Sequence, residues 1–384
     1  MRKFKIIGLS SFFLFMVGAL FVSFNDYEEP NEHKVTVQNI YEETLHNFGL
    51  SSKMNDYNVP GISFAIIKNG KLIWAKGFGY IQKGKPEKIN TETMFSVGSV
   101  SKVGAATISL KLQELGKLDI DKNVNEYLSS WKVPDNQYTK NNAVTLRKIM
   151  SHTAGLTVHG FADFLPDEKL PTTVQILNGE WPAKNSSVYV NIPIGSKFRY
   201  SGGGTTVEQL VIEELTNKKF HVAANELLFQ PLKMNRSSYQ NPLPKSFGNI
   251  AKAHNRSGKP TALPRGYQSM PEAAASGLWT TPSDFSKLMI QLMKAHQGEN
   301  TSYLPKKTVT DMMQPVAPSD YGLGPRINTN GQNIEFSHGG ANDSYRAHFS
   351  GFLPNQNGYI IFTNGTRGSG LINELRPLFN KLLN

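Results

Sequence analysis

Ser99-Val100-Ser101-Lys102 sets a serine three residues before a lysine. Residues three apart share a helix face, and a hydroxyl beside an amine is the minimum apparatus for nucleophilic acyl transfer. Spacing alone decides nothing. About two such pairs are expected by chance at ordinary frequencies, and Ser129-Ser130-Trp131-Lys132 is a second one. Context separates them. Gly98 precedes Ser99, and Val103, Ala106 and Leu110 follow at i+4, i+7 and i+11, the pattern of a helix with one apolar face. A serine there sits where free N–H groups favour developing negative charge. An amine held in that apolar setting loses proton affinity and suits a base. The bland alternative is a serine that only caps a helix. Ser129 and Lys132 run into Pro134 instead, which disfavours a following helix, and read as a solvated loop.

Two more stretches carry chemistry. Tyr200-Ser201-Gly202-Gly203-Gly204 precedes a helical pattern with Val207, Leu210, Val211 and Leu215 on one face. Phe336-Ser337-His338-Gly339-Gly340-Ala341 lies in a strand-like run near the C-terminus. With Ser151-His152-Thr153-Ala154-Gly155-Leu156, Pro231-Leu232-Lys233-Met234 and Ser276-Gly277-Leu278-Trp279-Thr280-Thr281, these segments make six landmarks in order. Over about residues 57–384 the chain resembles the serine β-lactamase-related hydrolases: class C β-lactamases, DD-carboxypeptidases, D-aminopeptidases and esterases of that fold. The resemblance implies that Ser99 attacks a carbonyl and that Lys102 and Tyr200 share the proton work. It implies an oxyanion hole from the backbone N–H groups of Ser99 and Ala341. His338, Gly339 and Gly340 would flank the substrate. Arg346 would meet an acidic group, or be a structural arginine.

The chain departs from the family pattern twice. The second motif is commonly Tyr-x-Asn, whose amide contacts the lysine and the substrate; Gly202 stands there and offers no side-chain hydrogen bond. The third is commonly Lys-Thr-Gly; His338 replaces a fixed positive charge with a group mostly neutral at pH 7. Both changes weaken the case for an efficient β-lactamase and for substrates with a free carboxylate. Tyr239-Gln240-Asn241 matches the second motif literally but precedes Pro242 and no helix, and His296-Gln297-Gly298 falls in a polar loop; both read as chance. Asp119 to Asn123 begins like a calcium loop, but Val124 stands where glycine is required. The nine histidines show no zinc spacing. His152 reads as structural, and Gly202 to Gly204 as a tight turn without the Lys-Ser/Thr of a phosphate loop. No metal and no organic cofactor is expected.

The elements that must position these residues follow from hydrophobic patterning. Gly61–Ile67 and Leu72–Ala75 flank Asn69-Gly70, a strong hairpin signal. Gly358–Phe362 supplies a late strand, and Leu371 to Leu383 a helix. Ile40 to Met54 also has helical spacing, and the middle, about 103–300, is mostly helical in pattern with loops. The expected fold is α+β: an antiparallel sheet made from both chain ends, flanked by helices, with a mostly helical subdomain.

Met1-Arg2-Lys3-Phe4-Lys5 and the apolar run Ile6 to Phe24 read as a secretory signal, cleaved or kept as an anchor. The expected organisation is a signal segment at 1–24, a linker and helix at 25–56, and a hydrolase domain at 57–384. The 384 residues carry no cysteine, so neither disulfides nor a lipid-modified cysteine take part. The net charge of +11 is dispersed; it suits anionic cell-wall polymers or lipid head groups and forms no basic stripe for nucleic acid. The sequence thus leads to an exported serine hydrolase, periplasmic or extracellular, acting on a small-molecule or peptidoglycan-like substrate. The alternatives are an esterase or transesterase, and a wall- or β-lactam-binding protein without turnover.

Overall fold

Asn69 and Gly70 both adopt positive φ, 51° and 68°, the backbone that a two-residue hairpin demands. They join β1 (Gly61–Lys68) to β2 (Lys71–Gly79) in antiparallel register. This is a computed structural model, and it describes residues 40–299 and 303–383. The expected signal segment and residues 25–39 of the linker lie outside the described residues.

The first and last strands meet. β1 pairs on its other edge with β8 (Asn357–Thr363), Phe64 opposite Ile361. The six-stranded order is β2-β1-β8-β7-β6-β5, with β5 Arg326–Asn330, β6 Asn333–Asn342 and β7 Tyr345–Phe352, all antiparallel. Alternation along β1 sends Ile62, Phe64 and Ile66 to one face and Ala65 and Ile67 to the other. The first face is covered by residues 40–47 (α1), Leu50–Asp56 (α2) and the C-terminal helix Gly368–Leu383, whose Leu371, Leu375 and Phe379 are buried. The helical run expected over Ile40–Met54 is thus two helices, broken where Gly49 takes φ 75°.

The second face meets the middle of the chain. A two-stranded ribbon, β3 (Phe95–Ser96) with β4 (Trp279–Thr280), ties the segment before Ser99 to the Ser276–Thr281 landmark. A 3-10 turn, Gly98–Val100, leads into α3 (Ser101–Glu114). Then come α4 (Leu146–Met150), α5 (Thr173–Asn178), α6 (Gly202–Thr216), α7 (Phe220–Ala224), α8 (Ala273–Ser276), α9 (Pro282–Gln297) and α10 (Lys306–Met312); the C-terminal helix is α11. From Ser101 to Leu110 every residue of α3 is buried, so it is a central helix rather than one with a single apolar face. The middle is also less helical than its apolar spacing suggests. Between 151 and 201 only Thr173–Asn178 forms an α-helix, because Pro166, Pro171, Pro182 and Pro193 interrupt the run. Among the described residues no helix is long and apolar enough to cross a membrane.

Candidate active site

Gly98 takes φ +52°, and a Cβ built there would lie 2.5 Å from the Ala341 nitrogen. A Cβ on Gly340 would lie 1.9 Å from the Val97 oxygen and 3.2 Å from the Ser99 nitrogen. Two glycines thus let the 3-10 turn and β6 approach backbone to backbone, and this brings the Ser99 and Ala341 amides together. Asp343 and Ser344 form a two-residue turn closed by the pair Asn342 and Tyr345. Antiparallel pairs alternate between bonded and non-bonded, so the Ala341 N–H turns away from β7. The Asn342 amide fixes this end of β6 by donating to Ser96 Oγ at 2.6 Å and to the Ser276 carbonyl at 3.1 Å. Nothing in the sequence signals that role beyond its place beside His338-Gly339-Gly340-Ala341.

Lys102 lies one turn below Ser99. Its Nζ is 3.2 Å from Ser99 Oγ and 2.7 Å from the Ala275 carbonyl. Burial lowers its pKa from the ordinary lysine value to about 7, with Glu208 opposing part of the shift. A neutral amine has two hydrogens and one lone pair. One hydrogen goes to the Ala275 carbonyl, and the lone pair is free for the Ser99 proton. Tyr200 lies beneath the same amine, its ring 4.9 Å from Nζ. Burial pushes its hydroxyl well above the usual tyrosine range, against a hydrogen bond with Ser99, so the phenol stays protonated at neutral pH. His152, at φ 59°, accepts a hydrogen bond at Nδ1 from the Ser201 N–H and stacks its ring 4.2 Å from that of Tyr200. The structural role expected of His152 is therefore the seating of Tyr200, with Tyr321 packed against both rings.

His338 Nδ1 lies 2.6 Å from the Gly339 carbonyl. A carbonyl only accepts, so Nδ1 carries the hydrogen and Nε2 presents a lone pair. Nε2 is buried without a hydrogen-bond partner among the described residues. Burial, then the Lys102 charge, lower the pKa to about 4. The third-motif position is thus held by a neutral imidazole that lines the cleft while its Nε2 is enclosed. At Gly202 a Cβ would stand 2.9 Å from Phe161 Cε2, so Phe161 fills space that an asparagine would need. The lysine contact expected from that missing amide is made instead by the Ala275 carbonyl.

The cleft has a volume of about 570 Å³, and Ser99, Lys102, Tyr200, His338, Gly339, Gly340 and Ala341 all line it. Among the described residues no carboxylate does, whereas Arg326 and Arg376 also line it. A larger groove of about 1020 Å³ runs along α1 and α2, away from Ser99. Of the two roles open to Arg346 at the cleft, the structure favours the structural one, since it does not line the cleft. Its guanidinium turns back onto its own hairpin, donating to the Asn342 and Tyr345 carbonyls, and borders a separate depression with Tyr57, Arg256 and Arg367. The decoys also find structural partners. Ser129 and Ser130 bind the Glu214 carboxylate, and Tyr239 is fully buried, donating to the Ser101 carbonyl at 2.5 Å. The carboxyls of Glu208, Asp163 and Glu272 are buried around the site and were not singled out in the sequence. Glu208 lies within the buried run of α6, whereas Asp163 and Glu272 lie outside any helix or strand, so no periodicity marks them. Among the described residues no group of His, Cys, Asp and Glu is arranged to hold a metal.

A family model described as Beta-lactamase matches residues 48–376. Protein flp of Staphylococcus aureus is 25% identical over 236 residues, covering 59% of this chain and 42% of its own length. The chain therefore spans less than half the length of that curated relative. Among solved structures, the octameric penicillin-binding protein homologue from Pyrococcus abyssi superposes with a TM-score of 0.69 at 22% identity, covering 85% of this chain and 74% of that one. A penicillin binding protein from Bacillus halodurans gives 0.66 at 19% identity, covering 87% and 98%. Both likenesses are of fold.

Proposed function

The chain belongs to the beta-lactamase family, and on that premise we propose that it is an exported serine hydrolase cleaving an amide or ester bond through an acyl-enzyme on Ser99. The observation that carries the reading is the 3.2 Å approach of Lys102 Nζ to Ser99 Oγ, by an amine that burial brings to neutrality near pH 7. Ser99 Oγ attacks the carbonyl carbon while Lys102 takes its proton. The oxyanion forms against the N–H groups of Ser99 and Ala341; one such donor is worth about 10²- to 10³-fold in rate. Tyr200, protonated at neutral pH, hands a proton to the leaving nitrogen or oxygen and is restored from Lys102. Water then attacks the ester, with the same groups acting in reverse.

The acyl donor we propose is a D-alanyl-type group of the cell wall, as a peptide or an ester. The penicillin-binding proteins of the same fold support it, as does the basic, apolar N-terminal run that suits export, with or without retention at the membrane. His338 favours an ester or an internal amide over a substrate held by a terminal carboxylate, because it places no fixed positive charge at that position.

The test is the intact mass of residues 25–384, wild type and Ser99→Ala, after a fluorophosphonate and separately after a penicillin. The expected result is a fluorophosphonate adduct on the wild type that Ser99→Ala lacks. An additional penicillin adduct supports the peptidase form, and its absence supports the ester form. No adduct with either reagent overturns the catalytic reading in favour of a binding protein without turnover.

A further inference from the structure

Three arginines from distant segments meet beside α11, around a depression of about 420 Å³ that the proposed chemistry does not use. Backbone geometry puts each of them there. Arg256 sits in a turn over residues 255–258, closed by a hydrogen bond from the Gly258 N–H to the Asn255 carbonyl at 2.9 Å. That turn is fastened near α11 by the bridge between His254 and Gly365 and by the Thr366 hydroxyl, 3.0 Å from the His254 carbonyl. Arg367 immediately precedes α11. Arg346 comes from the start of β7, and Gly368 admits it, since a Cβ on that glycine would lie 3.1 Å from Arg346 Cβ. Gly370 likewise admits the Tyr57 ring, whose Cε1 would be 2.3 Å from a Cβ there.

These cations have no counter-charge. Arg256 and Arg367 are exposed and Arg346 is half-buried, and among the described residues none of the three forms an ion pair. Arg346 gives Nη1 to the Asn342 and Tyr345 carbonyls, which leaves Nε and Nη2 without a protein partner among the described residues. Asp343 attracts Arg346 but does not line the depression. Among the described residues no carboxylate lines it, and Glu374, which the Tyr57 hydroxyl reaches, is held by Lys53. Like charges left together repel one another unless an anion joins them. Guanidinium forks match carboxylate and phosphate oxygens. Three forks suit the three acceptor oxygens of a phosphate better than the two of a carboxylate.

We propose that this depression is a phosphate-binding subsite, holding a phosphate group on the carrier of the acyl group cleaved at Ser99. Ser369 makes the connection, since it lines both the depression and the Ser99 cleft. A substrate whose acyl group reaches Ser99 can lay its carrier past Ser369 onto the arginines. The inference rests on the catalytic reading of Ser99 given above. A lipid head group would offer the same oxygens, but the arginines surround a concavity beside the cleft, which favours a phosphate borne by the substrate.

The experiment uses the full chain, as wild type and as the double variant Arg256→Ala/Arg367→Ala, with thermal unfolding of each. Calorimetric titration with pyrophosphate is expected to show binding to the wild type, weakened by salt, and at least tenfold weaker binding to the variant. Two ester probes then share one short acyl group and one flexible ethylene-glycol arm, which ends in phosphate in one and in hydroxyl in the other. The wild type is expected to cleave the phosphate-ended ester with kcat/KM about tenfold higher, mainly through KM. The variant loses that preference and cleaves the hydroxyl-ended ester as the wild type does. Equal wild-type kcat/KM for the two esters, pyrophosphate binding that survives in the variant, or an equal loss on both esters each overturns the proposal. Binding to phosphatidylglycerol vesicles without binding of pyrophosphate overturns it in favour of a lipid surface. If the double variant does not fold, Arg256→Ala alone decides by the same criteria. A wild type that cleaves neither ester removes the catalytic reading and the carrier role with it, while the pyrophosphate titration still decides the phosphate site.

Discussion

A lysine becomes a base at neutral pH only when its ammonium is made costly, and the residues around Lys102 do that by enclosing it. The same enclosure keeps His338 uncharged, and the third-motif position thereby stops being an anchor for anions. Restoring the fixed charge tests this directly. In His338→Lys, a charge-assisted hydrogen bond to the penicillin carboxylate becomes available, worth about 1.5–3 kcal/mol. Penicillin acylation is expected to rise about tenfold or more, while labelling by an uncharged short-chain ester probe does not rise. Equal effects on both reagents would show that the position does not select for charge.

At the scale of elements, the site is a meeting of two backbones. The 3-10 turn holds Ser99 and β6 holds Ala341, and Gly98 and Gly340 allow them to touch. Gly98→Ala should fail twice. A side chain at φ +52° is strained by roughly 1 kcal/mol, and the new methyl, 2.5 Å from the Ala341 nitrogen, must push that amide out of line. The expected outcome is acylation slowed by about 10²-fold, the cost of one misplaced oxyanion donor, with a smaller fall in the urea midpoint. Acylation within twofold of wild type, measured on the folded variant, would show that the two amides do not act together.

Across the whole molecule, the buried carboxyls tie stability to pH. Asp163 accepts from the Asp343 N–H at 3.2 Å, joining the 159–164 segment to the turn between β6 and β7. Glu272, 1% exposed, has an Oε2 without a hydrogen-bond partner among the described residues. Burial, reinforced by Asp163, raises Glu272 from 4.5 to about 8. Between those values the unfolded chain has lost the proton and the folded chain keeps it. Glu272 thus stabilises the fold at low pH, and its contribution falls as pH rises toward 8, by up to about 1.4 kcal/mol per pH unit. His338 acts in the opposite direction below pH 6.5, so a comparison with a variant isolates the carboxyl. Glu272→Gln is expected to match wild type near pH 5 and to exceed it by about 4 kcal/mol near pH 8 in urea unfolding. A difference independent of pH would mean that Glu272 titrates normally.

The sequence by itself determined the sheet edges and the motif set. Asn69-Gly70 dictates its turn through positive φ, β1 and β8 announce themselves by apolar content, Ser99 and Lys102 stand out through residue type and spacing, and Tyr200 and His338 through the family resemblance of their segments. These are local properties, and local chemistry is written in neighbouring residues. Partnership between distant segments is not. That the Ala275 carbonyl receives Lys102, that Phe161 occupies the space beside Gly202, and that Arg346 turns onto its own hairpin are outcomes of packing between elements far apart in the chain. Only the tertiary structure decided them. It also decided that Glu208 is buried against Ser109, because a buried carboxyl is visible only once the helices that enclose it are in place.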